Sequence, residues 1–232
     1  MKGICYIATP STDTDIDNMC QTSLICPLCG DNNISHYHSD SQRAYQQCEV
    51  CQLVFVAQQY QLSTAEEKAV YDLHQNRPDD LGYRRFLDRL ATPLLGALSV
   101  PSDGLDFGCG PGPTLSLMLE EAGHQVALFD PFYANNPALL NRNYDFITAT
   151  EVVEHLSRPG FELDRLWRLL KPDGLLGIMT KQVIDRTSFA TWHYKNDPTH
   201  ISFFSQATFS YLAEVWDASL EYMGDDVIIL RK

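Results

Sequence analysis

From Gly104 to Thr180 the sequence alternates short apolar runs with amphipathic stretches, and this alternation restricts the fold more than any other feature. Gly104 to Phe107, Gln125 to Phe129, Tyr144 to Ala149 and Leu175 to Thr180 read as strands, while Pro113 to Ala122 and Phe161 to Leu170 read as helices. Strands separated by helices pair in parallel through crossovers, so a sheet covered on both faces follows. Ahead of it, Tyr83 to Leu98 carries Leu87, Leu90 and Leu94 at helical spacing, which predicts one helix kinked at Pro93 or two short ones. Behind it, Ser219 to Tyr222 and Val227 to Leu230 flank Met223-Gly224-Asp225-Asp226, the signature of an antiparallel hairpin. The expected class is α/β, a three-layer sheet closed by a C-terminal antiparallel hairpin.

With 44% hydrophobic and 11% aromatic residues, a chain of 232 residues can bury the core of one such domain and a small appendage. A formal charge of −13 repels polyanions at long range, which speaks against a general nucleic-acid binder. No run of 18 apolar residues exists to span a bilayer, and the N-terminus lacks the pattern of a secretory signal, so a cytoplasmic location is expected. In that compartment seven cysteines are thiols or metal ligands rather than disulfides.

Four of the seven come as two pairs. Cys26-Pro-Leu-Cys29 and Cys48-Glu-Val-Cys51 are separated by the 18 residues 30–47, the spacing of a tetrahedral four-thiolate zinc site. Gly30 allows the turn after Cys29, and His36 and His38 lie off the regular spacing and read as surface residues. A closed site of this kind is structural, so Zn2+ is expected to stabilise a ribbon over residues 24–57. The composition turns helical at Ala65 to Val70, which places the main domain at residues 58–232 and leaves residues 1–23, with Cys5 and Cys20, as a loose extension. Within residues 26–56 Arg43 stands against Asp31, Asp40 and Glu49, whereas a ribbon that reads nucleic acid is basic.

Gly104-Leu-Asp-Phe-Gly-Cys-Gly-Pro-Gly112 puts a carboxylate at the end of a strand and three glycines in the turn that follows. The spacing differs from the dinucleotide fingerprint, and Asp106 would repel a pyrophosphate. A zwitterionic amino-acid group suits it better, since a carboxylate accepts from an ammonium and glycines let the backbone approach. Asp106 to Gly112 resembles the first motif of class I S-adenosylmethionine-dependent methyltransferases, which share a Rossmann-like sheet. Val126 to Asp130 resembles that family's second strand, Tyr144 to Leu156 its fourth strand and following helix, and Leu170 to Leu176 the turn into its fifth. The matches cover residues 80 to 232. Only the 13 residues 131–143 separate Asp130 from Tyr144, so the family's third strand is expected to be missing or vestigial.

The resemblance implies S-adenosyl-L-methionine as cofactor, with Gly108 and Gly110 close to it, Asp106 near its amino-acid end, Asp130 on its ribose, and Thr150 at the end of the fourth strand beside it. His74 and Tyr83 are candidates for the cofactor entrance. Methyl transfer is an in-line displacement, so further residues must align the acceptor and take its proton. Glu154-His155 follows the fourth strand, and the run from Trp192 to His200, with His193 and His200, follows the fifth, where open α/β sheets bind ligands. A ribbon, Glu-Val-Val-Glu-His and a downstream Thr-His together are similar to the zinc-containing sugar C-methyltransferases, in which the Glu-His pair is implicated in proton abstraction. This chain is shorter than those enzymes, and the acceptor atom and oligomeric state stay open. The expected partner is a small-molecule methyl acceptor; an RNA base methyltransferase and a non-catalytic cofactor-binding scaffold are the alternatives.

Overall fold

The computed structural model describes residues 24–73 and 77–232. The expected N-terminal extension and His74 lie outside the described residues. Three short strands come first, β1 (Ile34–Ser39), β2 (Ala44–Cys48) and β3 (Val54–Val56), paired antiparallel in that order. Helix α1 (Thr64–Tyr71) starts at a capping box between Ser63 and Glu66, and α2 (Leu81–Ala97) starts at Asp80, whose carboxylate accepts from the N–H groups of Gly82 and Tyr83. The stretch around Pro93 is one helix, not two.

The alternating region follows as β4 (Asp103–Phe107), α3 (Thr114–Glu121), β5 (Gln125–Phe129), β6 (Tyr144–Thr150), α4 (Pro159–Leu169) and β7 (Leu170–Met179). Then come α5 (Arg186–Ala190), β8 (Ser202–Phe203), α6 (Gln206–Trp216), β9 (Ser219–Met223) and β10 (Val227–Arg231). The main sheet has the order β5-β4-β6-β7-β10-β9, parallel through β7 and antiparallel beyond it. Among the described residues no strand lies outside β5, so the family's third strand is absent, as the short 131–143 segment implied. One boundary differs from the sequence reading. β7 begins at Leu170 rather than Leu175, with an irregular register between Tyr144 and Phe146 of its neighbour, because Asp173 takes a left-handed φ of 62° and Lys232 bonds to Asp173 and Gly174.

Leu87, Leu90, Leu94, Leu115 and Leu119 from α2 and α3 bury one face of the sheet. Leu163, Leu166, Phe209 and Leu212 from α4 and α6 bury the other, and this second cluster runs on without a break into Cys26, Cys48, Cys51, Leu53 and Phe55. The three N-terminal strands are therefore seated on the main body. Their sheet also gains a fourth strand from far along the chain, since β3 pairs with β8 through Val54↔Phe203 and Phe55↔Ser202. No helix among the described residues is long and apolar enough to cross a membrane.

Candidate active site and cysteine cluster

In the order β5-β4-β6 the chain leaves β4 to opposite sides, and the carboxyl ends of these strands frame a crevice where loops cannot cover the sheet. A cavity of about 820 Å³ opens there. Its floor is the glycine turn. Gly108 and Gly110 hold left-handed φ angles of 75° and 63°, and a Cβ on Gly108 would stand 2.4 Å from Val152 Cγ2, so only glycine lets the turn pass there. Gly108 N donates to Phe129 O at 2.7 Å. Asp130, at the end of β5, gathers three backbone donors: Gly110 N at 3.0 Å on Oδ2, and Phe132 N at 2.8 Å and Tyr133 N at 3.1 Å on Oδ1.

Asp106 is buried at the end of β4, where its two oxygens accept from Ser116 Oγ at 2.7 Å and Thr148 Oγ1 at 2.8 Å. Burial pushes its carboxyl up, against the pull of those two hydroxyls. Thr150, at the end of β6, lines the same cavity, and its hydroxyl is buried with no hydrogen-bond partner among the described residues. Close-lying glycine backbone and two carboxylates, with Thr150 beside them, are a set that fits an amino-acid nucleoside.

The far wall is polar in a different way. Glu151 follows β6 with a left-handed φ of 52°, a conformation that non-glycine residues adopt at a cost. Glu154 is completely buried, its Oε2 accepting from Thr180 Oγ1 at 2.9 Å and its Oε1 from the Tyr194 hydroxyl in a short bond; that hydroxyl also lies 3.3 Å from Glu151 Oε2. Burial pushes Glu154 up to about 7 and, with the charge of Glu154 beside it, Glu151 up to about 8. His155 Nδ1 faces Thr199 O at 3.2 Å and His200 Nδ1 faces Tyr194 O at 2.7 Å. A carbonyl only accepts, so each Nδ1 carries the proton and each Nε2 is turned the other way. The two rings meet edge to face, 4.7 Å between centroids. Burial, reinforced by His155, lowers His200 to about 4, which keeps it neutral.

Of the residues singled out in the sequence, Asp106, Gly108, Gly110, Asp130, Thr150, Tyr83, His155 and His200 all line this one cavity. Glu154 lies behind the wall. His193 is not brought to the cavity: the turn at residues 193–196 points Tyr194 inward and leaves His193 exposed, 3.2 Å from Lys181 Nζ. Sequence reading passed over Tyr71, whose ring meets His155 at 5.3 Å, and over Glu151, Tyr194 and Asp197. Glu151 had a signal, three residues ahead of Glu154 in the same motif; Tyr71 had none.

The four paired cysteines come together as spaced. Cys26 Sγ lies 3.4 Å from Cys51 Sγ and Cys29 Sγ lies 3.5 Å from Cys48 Sγ, with all four sulfurs within 4.8 Å of one another. Thiolates around one zinc at about 2.3 Å stand roughly 3.8 Å apart, so the set fits a tetrahedral ion. His36 and His38 stay outside it, on β1.

Residues 75–217, more than half of the chain, match the family model for a methyltransferase domain. This chain belongs to the methyltransferase domain family. Among solved structures, the methyltransferase is similar to the 1,6-didemethyltoxoflavin-N1-methyltransferase of Burkholderia thailandensis, which was solved with 1,6-didemethyltoxoflavin and S-adenosylhomocysteine bound. The TM-score is 0.51 at 19% identity, covering 85% of this chain and 99% of that one, a likeness of fold. An O-methyltransferase family protein from the same organism matches at a TM-score of 0.47 and 13% identity, covering 72% of this chain and 62% of that one. Among curated proteins, none matches this methyltransferase in sequence.

Proposed function

We propose that this methyltransferase uses S-adenosylmethionine to methylate a small molecule, and that a ribbon over residues 24–57 holds a structural zinc through Cys26, Cys29, Cys48 and Cys51 ahead of the catalytic unit at 58–232. The observation that carries the reading is one cavity with two unlike ends, the glycine turn with Asp106, Asp130 and Thr150 at one and His155 with His200 at the other. Its volume of about 820 Å³ lies within the range of about 300–1,000 Å³ typical of small-molecule sites.

When bound, S-adenosylmethionine supplies a methyl group whose bond to the sulfonium breaks as the bond to the acceptor forms, leaving a neutral thioether. Gly108 and Gly110 let the backbone lie against the amino-acid end, and Asp106 presents its charge there. Asp130 has lone pairs beyond its three backbone bonds for the ribose hydroxyls. Tyr83, stacked on Phe86, walls the entrance. His155 and His200 deal with the acceptor and its proton, and Glu154 positions them from behind.

The test is a screen of small-molecule acceptors with methyl-labelled S-adenosylmethionine, beside calorimetry with S-adenosylhomocysteine. Labelled product is expected, and His155→Ala or His200→Ala should lower turnover by about 10²–10⁴ with cofactor affinity unchanged. A protein that binds no S-adenosylhomocysteine refutes the cofactor; variants that keep full turnover refute the role of the histidines.

A further inference from the structure

Asp197 and His200 reach the cavity on a loop with little regular structure of its own, one short helical turn at residues 193–196 followed by the two-residue strand β8. Its carbonyls find few partners within the loop, and a buried carbonyl needs a donor. Arg43, on the turn between β1 and β2, brings the donors. Its buried guanidinium donates through Nη1 to His200 O at 2.8 Å and Pro198 O at 3.4 Å, and through Nη2 to Asp197 O at 3.1 Å and, in a short bond, to Lys195 O. Nε donates to the Tyr45 hydroxyl at 3.2 Å. A guanidinium holds its five N–H groups in a rigid fork, and here four contacts fall on carbonyls of one loop. Among the described residues no ion pair joins Arg43 to a carboxylate, so the fork is committed to main-chain geometry.

The far side of His200 is tied to the same ribbon. Val56 N donates to Ile201 O at 3.0 Å, and β3 pairs with β8 beyond it. His200 therefore stands between two attachments, Arg43 on the residues that lead to it and β3 on those that follow. The hold extends to the second imidazole. Thr199, between the clamped carbonyls of Pro198 and His200, turns its own carbonyl to His155 Nδ1 at 3.2 Å, and Ile201 N donates to Glu154 O at 2.8 Å.

We propose that Arg43 is a positioning residue for methyl transfer, a part of the cysteine ribbon whose guanidinium sets the loop that carries Asp197 and His200 into the acceptor end of the cavity. The proposal rests on the methyl-transfer reading for the word acceptor; the clamp itself rests on the contacts. Lysine does not replace the fork, because an ammonium is a point charge that does not span four carbonyls. Charge alone and fork geometry are thus separable by Arg43→Lys.

The experiment uses full-length protein with 15N-labelled histidine, in which long-range proton–nitrogen spectra read the tautomer of each imidazole. In the wild type His155 and His200 should both carry the proton on Nδ1, as their carbonyl partners require. In Arg43→Lys and Arg43→Ala the His200 signal should leave that tautomer. His193, exposed on the same turn, and His124, packed edge-on against Phe146, should be unchanged, as should affinity for S-adenosylhomocysteine in calorimetry. Any acceptor found by the labelled screen should turn over about 10²-fold more slowly in Arg43→Lys, the scale of a small misplacement at a reacting centre.

Survival of the wild-type His200 signal in either variant, or full turnover in Arg43→Lys, overturns the proposal. Loss of the His124 signal or of S-adenosylhomocysteine affinity in Arg43→Lys assigns Arg43 to folding at large and overturns it too; should Arg43→Ala fail to fold, Arg43→Lys decides alone. Cofactor binding with an unmoved His200 sinks this proposal and spares methyl transfer, whereas a displaced His200 in a protein whose wild type binds no S-adenosylhomocysteine leaves the clamp and sinks methyl transfer.

Discussion

Asp130 carries two burdens at once, because the oxygens proposed for the ribose already tie the glycine turn to the loop after β5 through Gly110, Phe132 and Tyr133. Asp130→Ala removes both. Each charge-assisted bond is worth about 1.5–3 kcal/mol, so affinity for S-adenosylhomocysteine should fall at least about tenfold in calorimetry. Thermal melting separates the two burdens, since loss of the backbone bonds alone lowers the midpoint without the ligand. Undiminished affinity would show that the ribose is held elsewhere. Asp130 and Gly108 were legible in the sequence because a strand-end acid and a left-handed turn are local demands. Glu154 was legible as a residue but not as a buried group, since its enclosure depends on Thr180 and Tyr194, which return from 26 and 40 residues downstream.

At the scale of elements, the cysteine ribbon is joined to the catalytic unit rather than appended to it. β3 pairs with β8, and a Cβ on Gly160 at the start of α4 would stand 2.0 Å from Leu28 O in the first cysteine knuckle, so only glycine allows that approach. Structural zinc binding is folding free energy for the segment it closes. We expect one zinc per chain in protein purified without added metal, and its removal by a chelator should expose the amides of β2 and β3 together with β8 in hydrogen exchange. Metal-free protein whose β2, β3 and β8 remain protected would contradict a structural zinc. The cysteine spacing announced the cluster by itself, whereas β8 has only two residues and no periodicity to read.

Across the whole molecule, the turn between β1 and β2 clamps the loop that delivers Asp197 and His200 to the cavity. Arg43 donates to His200 O at 2.8 Å, Asp197 O at 3.1 Å and, in a short bond, Lys195 O, while Asp40 Oδ2 accepts from buried Lys195 Nζ at 2.8 Å. Burial pushes the Asp40 carboxyl up, but Lys195, the N–H groups of Arg43 and Gln42 and the Tyr45 hydroxyl outweigh it and hold the group well below the usual carboxylate range. A depressed carboxyl contributes stability that is complete above its unfolded value, near pH 4, and is lost as pH falls toward the folded one. Asp40→Asn should therefore cost about 1 kcal/mol at pH 7, or about 2–4 °C in melting temperature, and the gap to the wild type should close as pH drops below about 4. A gap that stays constant with pH would mean that Asp40 contributes by packing and not by its charge.

The sequence alone determined the parallel sheet, its closing hairpin, the missing third strand, the cysteine cluster and the glycine turn with its strand-end acids that lines the cavity. Each of these depends on a period or a spacing within a few residues, where apolar faces and backbone freedom are dictated by the residues themselves. The tertiary structure decided what those faces meet. That the rings of His155 and His200 meet at the cavity, that His193 stays outside it, and that Arg43 holds a loop some 155 residues away follow from contacts between distant segments. Periodicity states which side of an element is buried and is silent about what covers it, because the covering surface is chosen by the packing of the whole chain.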